Sequence, residues 1–556
     1  METVREALEM LQAGQPEAAE GICVQILATA SARAERADAL HLLALLALEA
    51  ERDGDAIGLL TQAVAHDPDN LQRRFDLARL LIDTDETEHA LAELALLLER
   101  SPAHPDLLLA QGEALRRANR HADAVCSLEA LVEGSPEAAD AWAALATAYL
   151  DWGRGEAAAK GFEHALSLRP ADPALLLNLG AARLRAGAPR EALEVFSQLT
   201  CLQPEEPRAW MNAGIAMKAL GDTEGALEAQ QQAIRFAPED PDAQWNLALT
   251  ELQLGQSREG FARYEWRRRL PGFPPDAREP WDGGELEGRP LAIRAEQGLG
   301  DTIAFLRFIP RLRSLSERVS LEVQPALVPL LERCAGLGLP IGPLGEGDPQ
   351  ALWAPLMSLP HLLGDAGSLA IDAAYLRPDP AIRPASMRRI EEAAGLRVGL
   401  CWQGNPSYRD DAHRSIALAR LEPLLELPKV SFFGLQKHHG REQLDDPSLA
   451  GRVEDLGAAL DESGGAFVET ATILAGLDLL ITTDTAMVHL AGALGARTWL
   501  LLPRIADWRW GEPGAEPTWY PSVRIFRQQA QGEWEPVITE LREALERLAA
   551  QERPGR

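Results

Sequence analysis

Small apolar positions recur along the first half of the chain with a period of 34 residues. One register holds Ala44, Ala78, Gly112, Ala146, Gly180, Gly214 and Ala248, and a second holds Ala56, Ala90, Ala124, Ala158, Ala192 and Ala226. Prolines punctuate the same period at Pro68, Pro102, Pro136, Pro170, Pro204 and Pro238. The pattern predicts pairs of antiparallel helices. Small residues let two helices approach closely, and proline ends the second helix because it has no N–H to continue the ladder. One pair cannot bury its own apolar face, so the pairs must stack.

Near Leu270 the period changes. Residues 271–290 (PGFPPDAREPWDGGELEGRP) are dense in proline and glycine and read as a linker or entry loop. Beyond them short apolar runs alternate with helical patterns, the signature of β-α-β units and a parallel sheet. Strands are expected at 291–295, 319–324, 398–402, 430–435, 478–483 and 498–503, with helices between them and a last amphipathic helix near 534–551. The stretch 340–395 holds less regular units. The expected organisation is a helical array over 1–270, a linker over 271–290, and two Rossmann-like lobes over 291–395 and 396–556. A cleft between such lobes suits a small molecule, because parallel sheets bind ligands beyond the carboxyl ends of their strands.

The 34-residue unit resembles the tetratricopeptide repeat over about residues 37–270, in some seven units, with 1–36 as a degenerate N-terminal cap. The resemblance implies an all-α superhelix whose concave face takes a protein or peptide partner. Trp142, Trp210 and Trp245 read as helix packing, and Arg267–Arg269 as a solvated helix end.

Composition narrows the functions. Acidic residues number 84 against 54 basic ones in 556, a formal charge of −30. That excludes a general nucleic-acid binder, whose affinity rests on many cationic phosphate contacts. Only Lys160, Lys218, Lys429 and Lys437 are lysines. Recognition of a phosphate must therefore lean on arginine, backbone amides or helix N-termini. Five scattered cysteines without a C-x-x-C pair fit neither a disulfide framework nor a zinc site. With no signal-peptide pattern and no long apolar stretch, the expectation is a cytoplasmic protein without a membrane span.

Several loops could carry chemistry. Glu296-Gln297-Gly298-Leu299-Gly300-Asp301 joins a strand to a helix, and its glycines allow close approach to backbone amides; taken alone, Asp301 reads first as a helix cap. Thr483-Asp484-Thr485-Ala486-Met487-Val488-His489 opens a helix at a strand's carboxyl end, where free amides and the helix dipole suit a diphosphate. There Asp484 is also a natural cap and His489 a natural core residue. The loop from Gln403 to Ser415 holds Asn405, Asp410, Asp411, His413 and Arg414, and Phe433-Gly434-Leu435-Gln436-Lys437 opens a strand into a basic loop. Asp507-Trp508-Arg509-Trp510 and Trp519-Tyr520 form an aromatic cluster suited to sugar rings or to core packing.

Together EQGLGD, CWQGNP, FGLQK, DLLITTDTAMVHLAGALG, WLLLP and DWRW, in that order over about 290–530, resemble glycosyltransferase family 9, which contains the ADP-heptose:lipopolysaccharide heptosyltransferases. The resemblance implies a GT-B fold and metal-independent inverting transfer from a nucleotide-sugar, with no further cofactor. It casts Asp301 as general base and Asp484, Thr485 and His489 as the diphosphate motif. Arg414 would face the phosphates, with Gly298, Gly300, Asn405, Gln436 and Lys437 on the donor side. Ala486 stands where that motif has glycine. The leading expectation is a glycosyltransferase acting on an acceptor that the repeats recruit. The competing one is a repeat scaffold whose GT-B half has lost catalysis.

Overall fold

The computed structural model describes residues 3–345, 347–364, 374–408, 411–462, 464–514 and 519–551. The chain forms two compact units, Met1–Ala216 and Met217–Arg556.

The first unit is all helical. Hairpins such as Leu71–Asp83 with Thr87–Arg100 and Pro105–Arg117 with His121–Gly134 repeat along it, preceded by Val4–Gln12 and Pro16–Thr29. Second helices end at His66, Arg100, Gly134, Leu168 and Leu202, two residues before each repeat proline. The small registers are where the helices meet. A methyl added to Gly112 would lie 2.5 Å from Leu128 Cγ, and Ala44, Ala56, Ala78, Ala90, Ala124 and Ala158 are fully buried.

A further register escaped the sequence reading. The residue that turns each first helix into its second has a left-handed backbone: Glu51 (φ 55°), Asp85 (64°), Asn119 (57°), Gly153 (77°) and Gly187 (75°). Glycine takes that conformation freely, whereas other residues hold it at a cost. The repeat tryptophans are partly buried as packing residues, and Trp142 also donates its indole N–H to the Pro136 carbonyl at 2.8 Å.

The second unit begins within helix Pro207–Ala219 and takes in the helices Thr223–Phe236, Pro241–Gln253 and Ser257–Tyr264. It then builds two parallel sheets. The first comprises β1 (Leu291–Arg294), β2 (Val319–Val323), β3 (Ile341–Pro343) and β4 (Leu352–Pro355), in the order β3-β2-β1-β4. The second comprises β5 (Leu396–Cys401), β6 (Val430–Gly434), β7 (Val453–Asp455), β8 (Leu479–Thr483), β9 (Thr498–Leu502) and β10 (Val523–Arg527). Its order is β10-β9-β8-β5-β6-β7. Each sheet has a switch point, β1 beside β4 and β5 beside β8, from which the strand order runs both ways. Ligand crevices in such sheets open beyond the carboxyl ends of the switch-point strands.

Two expectations are corrected here. Residues 271–290 are no loose linker. Trp281 is buried, its N–H donates to the Trp353 carbonyl at 2.8 Å, and Trp353 returns a bond to Glu279 at 3.0 Å, so the segment runs beside β4. Nor is Arg267 a solvated helix end. It is 3% exposed and pairs at 2.7 Å with Glu296, also 3% exposed, while donating to the Ser358 hydroxyl at 2.8 Å. Arg268 and Arg269 behave as expected: both are exposed, and Arg269 pairs with exposed Glu239.

Candidate functional site

The segment after β1 and the segment after β8 meet. Gly298, with extended backbone, caps the short helix Leu299–Phe305. Its N–H donates to Asp301 Oδ2 at 3.2 Å, and Asp301 Oδ1 accepts from Arg509 Nη2 at 2.6 Å. Both carboxylate oxygens of Asp301 are therefore engaged. Gly300 faces the start of helix Ala486–Ala493 so closely that a methyl there would lie 3.2 Å from Ala486 Cα and 3.2 Å from His489 Cδ2.

On the β8 side, Thr485 caps the helix by accepting the Met487 N–H at 3.3 Å. The carbonyl of Asp484 accepts from Arg414 Nη1 at 2.8 Å. Arg414 is held in turn by Asp411 (3.0 Å) and lies over the Tyr408 ring at 4.5 Å. It comes from the loop after β5, the neighbour of β8, so the switch point brings Arg414 to the Asp484 turn. Gly404 makes room for it, since a methyl there would sit 2.6 Å from Arg414 Nη2.

The charges around this turn are crowded. Burial and the neighbouring Asp507 push the Asp484 carboxyl up to about 6. Asp507 is only partly buried, and Arg509, bonded to it at 2.8 Å, holds its carboxyl below the ordinary value against the desolvation it does suffer. Burial, with Arg509 nearby, pushes the His489 imidazole down to about 3. His489 is thus a neutral ring at physiological pH, with Nδ1 3.1 Å from the Tyr520 hydroxyl and its face stacked on Trp510 at 5.7 Å.

Other nominated residues lie apart from this cluster. Gln436 is buried and spends its amide on backbone: Oε1 accepts from the Trp402 and Gln403 N–H groups at 3.2 Å, and Nε2 donates to the Gln403 and His439 carbonyls. Lys437 bonds the Leu460 carbonyl and pairs with Glu462 at 3.0 Å. Asn405 is exposed and closes its own turn by accepting the Ser407 N–H at 3.0 Å. Asp410 lies outside the described residues. Trp508, Trp510, Trp519 and Tyr520 are buried and serve as core, with Trp508 edge-on to Phe261 at 5.7 Å.

The charged residues the sequence reading passed over are Asp507 and Arg509. The DWRW motif was visible, but its aromatic members drew the reading toward ring stacking. The alternation itself was the available signal, because an aspartate two residues before an arginine can fold back onto its guanidinium.

Tetratricopeptide repeat family models match residues 47–113 and residues 109–175 and 177–241, so the N-terminal region carries tetratricopeptide repeats. The chain is 30% identical over 296 residues to protein FlbA of Caulobacter vibrioides, a match covering 49% of this chain and 48% of that protein. It thus spans about half the length of the curated relative it matches. Similar solved structures include a tetratricopeptide repeat protein from Parabacteroides merdae (17% identity, TM-score 0.37, covering 44% of this chain and 96% of that one). Another is YrrB, described as a TPR protein with an unusual peptide-binding site (23% identity, TM-score 0.29, covering 33% of this chain and 95% of that one). A third is TTC0263 of Thermus thermophilus (20% identity, TM-score 0.28, covering 33% of this chain and 99% of that one). Among the described residues, no helix is long and apolar enough to cross a membrane.

Proposed function

We propose that the sheet-bearing unit is a GT-B glycosyltransferase that takes a nucleotide-sugar without a metal and acts on an acceptor recruited by the repeats. The observation that carries this reading is the meeting of two switch-point segments, Gly298–Asp301 and Asp484–His489, with Arg414 and Arg509 beside them. A diphosphate leaving group gains negative charge as the glycosidic bond breaks, and fixed cations with helix-start amides stabilise it. Asp301 would accept the acceptor's proton once Arg509 is drawn off it, and a single base opposite the leaving group gives inversion. A protein or peptide acceptor fits the repeats, where a cavity of about 480 Å³ is lined by Leu91, Gln111, Leu115, Arg120 and Cys126.

The test is a screen of UDP-, GDP-, ADP- and CMP-sugars by thermal shift, followed by turnover. A ligand at a hundred times its Kd stabilises by about 2.7 kcal/mol, an easily read shift. Asp301→Asn should retain that shift and lose turnover by at least about 100-fold. A donor that binds and is never consumed would sink the transferase.

A second reading has its own support. Asp301 is fully engaged by Gly298 and Arg509, and Ala486 fills the space at Gly300. Such a closed site suits a scaffold that binds a partner through its repeats and catalyses nothing. The same turnover measurement separates the two.

A further inference from the structure

His489 is 6% exposed, and three sides of its ring are occupied. Nδ1 lies 3.1 Å from the Tyr520 hydroxyl. One face stacks on Trp510, with ring centroids 5.7 Å and planes 14° apart. The Cδ2 edge meets Gly300, where an added methyl would lie 3.2 Å away. Nε2 is bonded to Cδ2 within the ring, so it lies on that same side, where the two switch-point segments meet. Among the described residues, Nε2 makes no hydrogen bond.

The groups that hold the ring are themselves fixed. Tyr520 is 1% exposed. It packs on the helix face that carries His489, since a methyl on Gly492, three residues further along, would collide with the Tyr520 ring. Arg307 covers Tyr520 as well, with Cζ 4.6 Å from the ring centroid. Trp510 is held by Arg527, which donates to its carbonyl at 2.7 Å. A neutral imidazole has one N–H and one bare nitrogen, and the partner of one nitrogen decides the state of the other. A phenol hydroxyl is the stronger donor of this pair and the bare ring nitrogen the stronger acceptor. A hydrogen bond from Tyr520 to Nδ1 therefore leaves the ring's proton on Nε2.

We propose that Tyr520 is a positioning residue for donor binding: it donates to His489 Nδ1, keeps the ring proton on Nε2, and so makes His489 a neutral hydrogen-bond donor to the diphosphate of the nucleotide-sugar. The proposal rests on the transferase reading and adds a residue to it. Tyr520 acts through His489 and does not itself touch the diphosphate.

The experiment uses the full chain, with UDP, GDP, ADP, CDP and inorganic pyrophosphate as probes in calorimetry. Wild type is expected to bind at least one nucleoside diphosphate. Tyr520→Phe keeps the ring and should weaken that binding about five- to tenfold, the worth of one hydrogen bond. His489→Gln offers an amide N–H near the place of Nε2 and has no tautomer to set. In that background Tyr520→Phe should cost nothing further, whereas a merely structural role for Tyr520 would weaken binding equally in both. A second measurement needs no change at Tyr520. Long-range proton–nitrogen spectra of the chain labelled in its 11 histidines, with the His489 signal assigned by its loss in His489→Gln, should show the proton on Nε2 and Nδ1 bare.

A proton found on Nδ1, undiminished binding by Tyr520→Phe, or an equal loss in both backgrounds overturns the proposal and leaves the transferase reading standing. Failure of wild type to bind any nucleoside diphosphate overturns that reading, and the role of Tyr520 with it.

Discussion

Arg509 Nη2 and Asp301 Oδ1 lie 2.6 Å apart, and the bond joins the segment after β9 to the first turn of the helix that follows β1. The arginine is 7% exposed and the aspartate 26%, so water screens the pair only in part. Removing one member leaves a mostly enclosed charge unmatched, at a cost of about 3 kcal/mol. Arg509→Met should therefore lower the stability of the sheet-bearing unit by about that much in urea. A double-mutant cycle with Asp301→Asn should return a coupling of about 1–3 kcal/mol; additive losses would show that the two side chains act independently.

Acidity should act on this unit in two opposed ways. The Asp484 carboxyl rises from 3.8 to about 6 on folding, so the folded state favours the proton. Its contribution is complete below pH 4 and is lost as pH climbs through 6. His489 goes from 6.5 down to about 3, so its contribution is complete above pH 6.5 and is lost as pH falls toward 3. Between pH 4 and 6 the two partly cancel. Stability over that range should fall toward acid in Asp484→Asn, where only the His489 term is left, and rise toward acid in His489→Gln, where only the Asp484 term is left. Unchanged profiles in both would contradict the burial assigned to these groups.

Gly300 and Ala486 should be sensitive to size in opposite directions. Gly300→Val adds atoms against a backbone Cα only 3.2 Å from where its Cβ would stand, which should cost about 1–3 kcal/mol. Ala486→Gly opens the same contact and should tighten nucleoside diphosphate binding on the transferase reading. Circular dichroism melts and calorimetry measure the two effects separately.

The pair Arg267–Glu296 offers a contrast with Arg269. Glu296→Gln removes one charge from a fully enclosed pair and should cost about 3–5 kcal/mol. Arg269→Ala removes an exposed charge paired with an exposed glutamate and should change stability by no more than about 0.5 kcal/mol.

The left-handed register makes a prediction for the repeats. Asp85, at φ 64°, holds a conformation that costs a residue with a Cβ about 1 kcal/mol. Asp85→Gly should stabilise the first unit by up to that amount in a thermal melt. Gly187→Val, at φ 75° with open space around the Cβ position, should destabilise it by about 1–2 kcal/mol through backbone strain alone.

Periodicity made the helical half readable, because a 34-residue spacing of small residues and prolines has one economical packing. The central strands were readable as well, being apolar on both faces. β7 and β10 were not. Val453–Asp455 has three residues and carries two acids, and Val523–Arg527 alternates charge with apolar side chains, as edge strands do. The site divided along a similar line. Arg414 and Asp484 share a switch point, which strand order brings together. Gln436 looked like a ligand residue because a polar side chain after a strand can turn either way. Its five bonds to neighbouring groups are set by loop geometry that no spacing encodes. Arg267 misled for a related reason: its partner Glu296 lies 29 positions away in the chain.

The stretch from Glu279 to Trp281, bonded along the outer strand β4, has a consequence for solubility. An outermost strand with free amides is a template for addition of a foreign strand, and proteins blunt such templates by covering them. Here the chain covers its own, with Pro280 at the bridge itself, a residue unable to offer an N–H to a newcomer. Peeling this stretch away would expose an apolar ladder and invite self-association, so deletion of residues 279–281 from the full chain should yield aggregates where the intact chain remains dispersed.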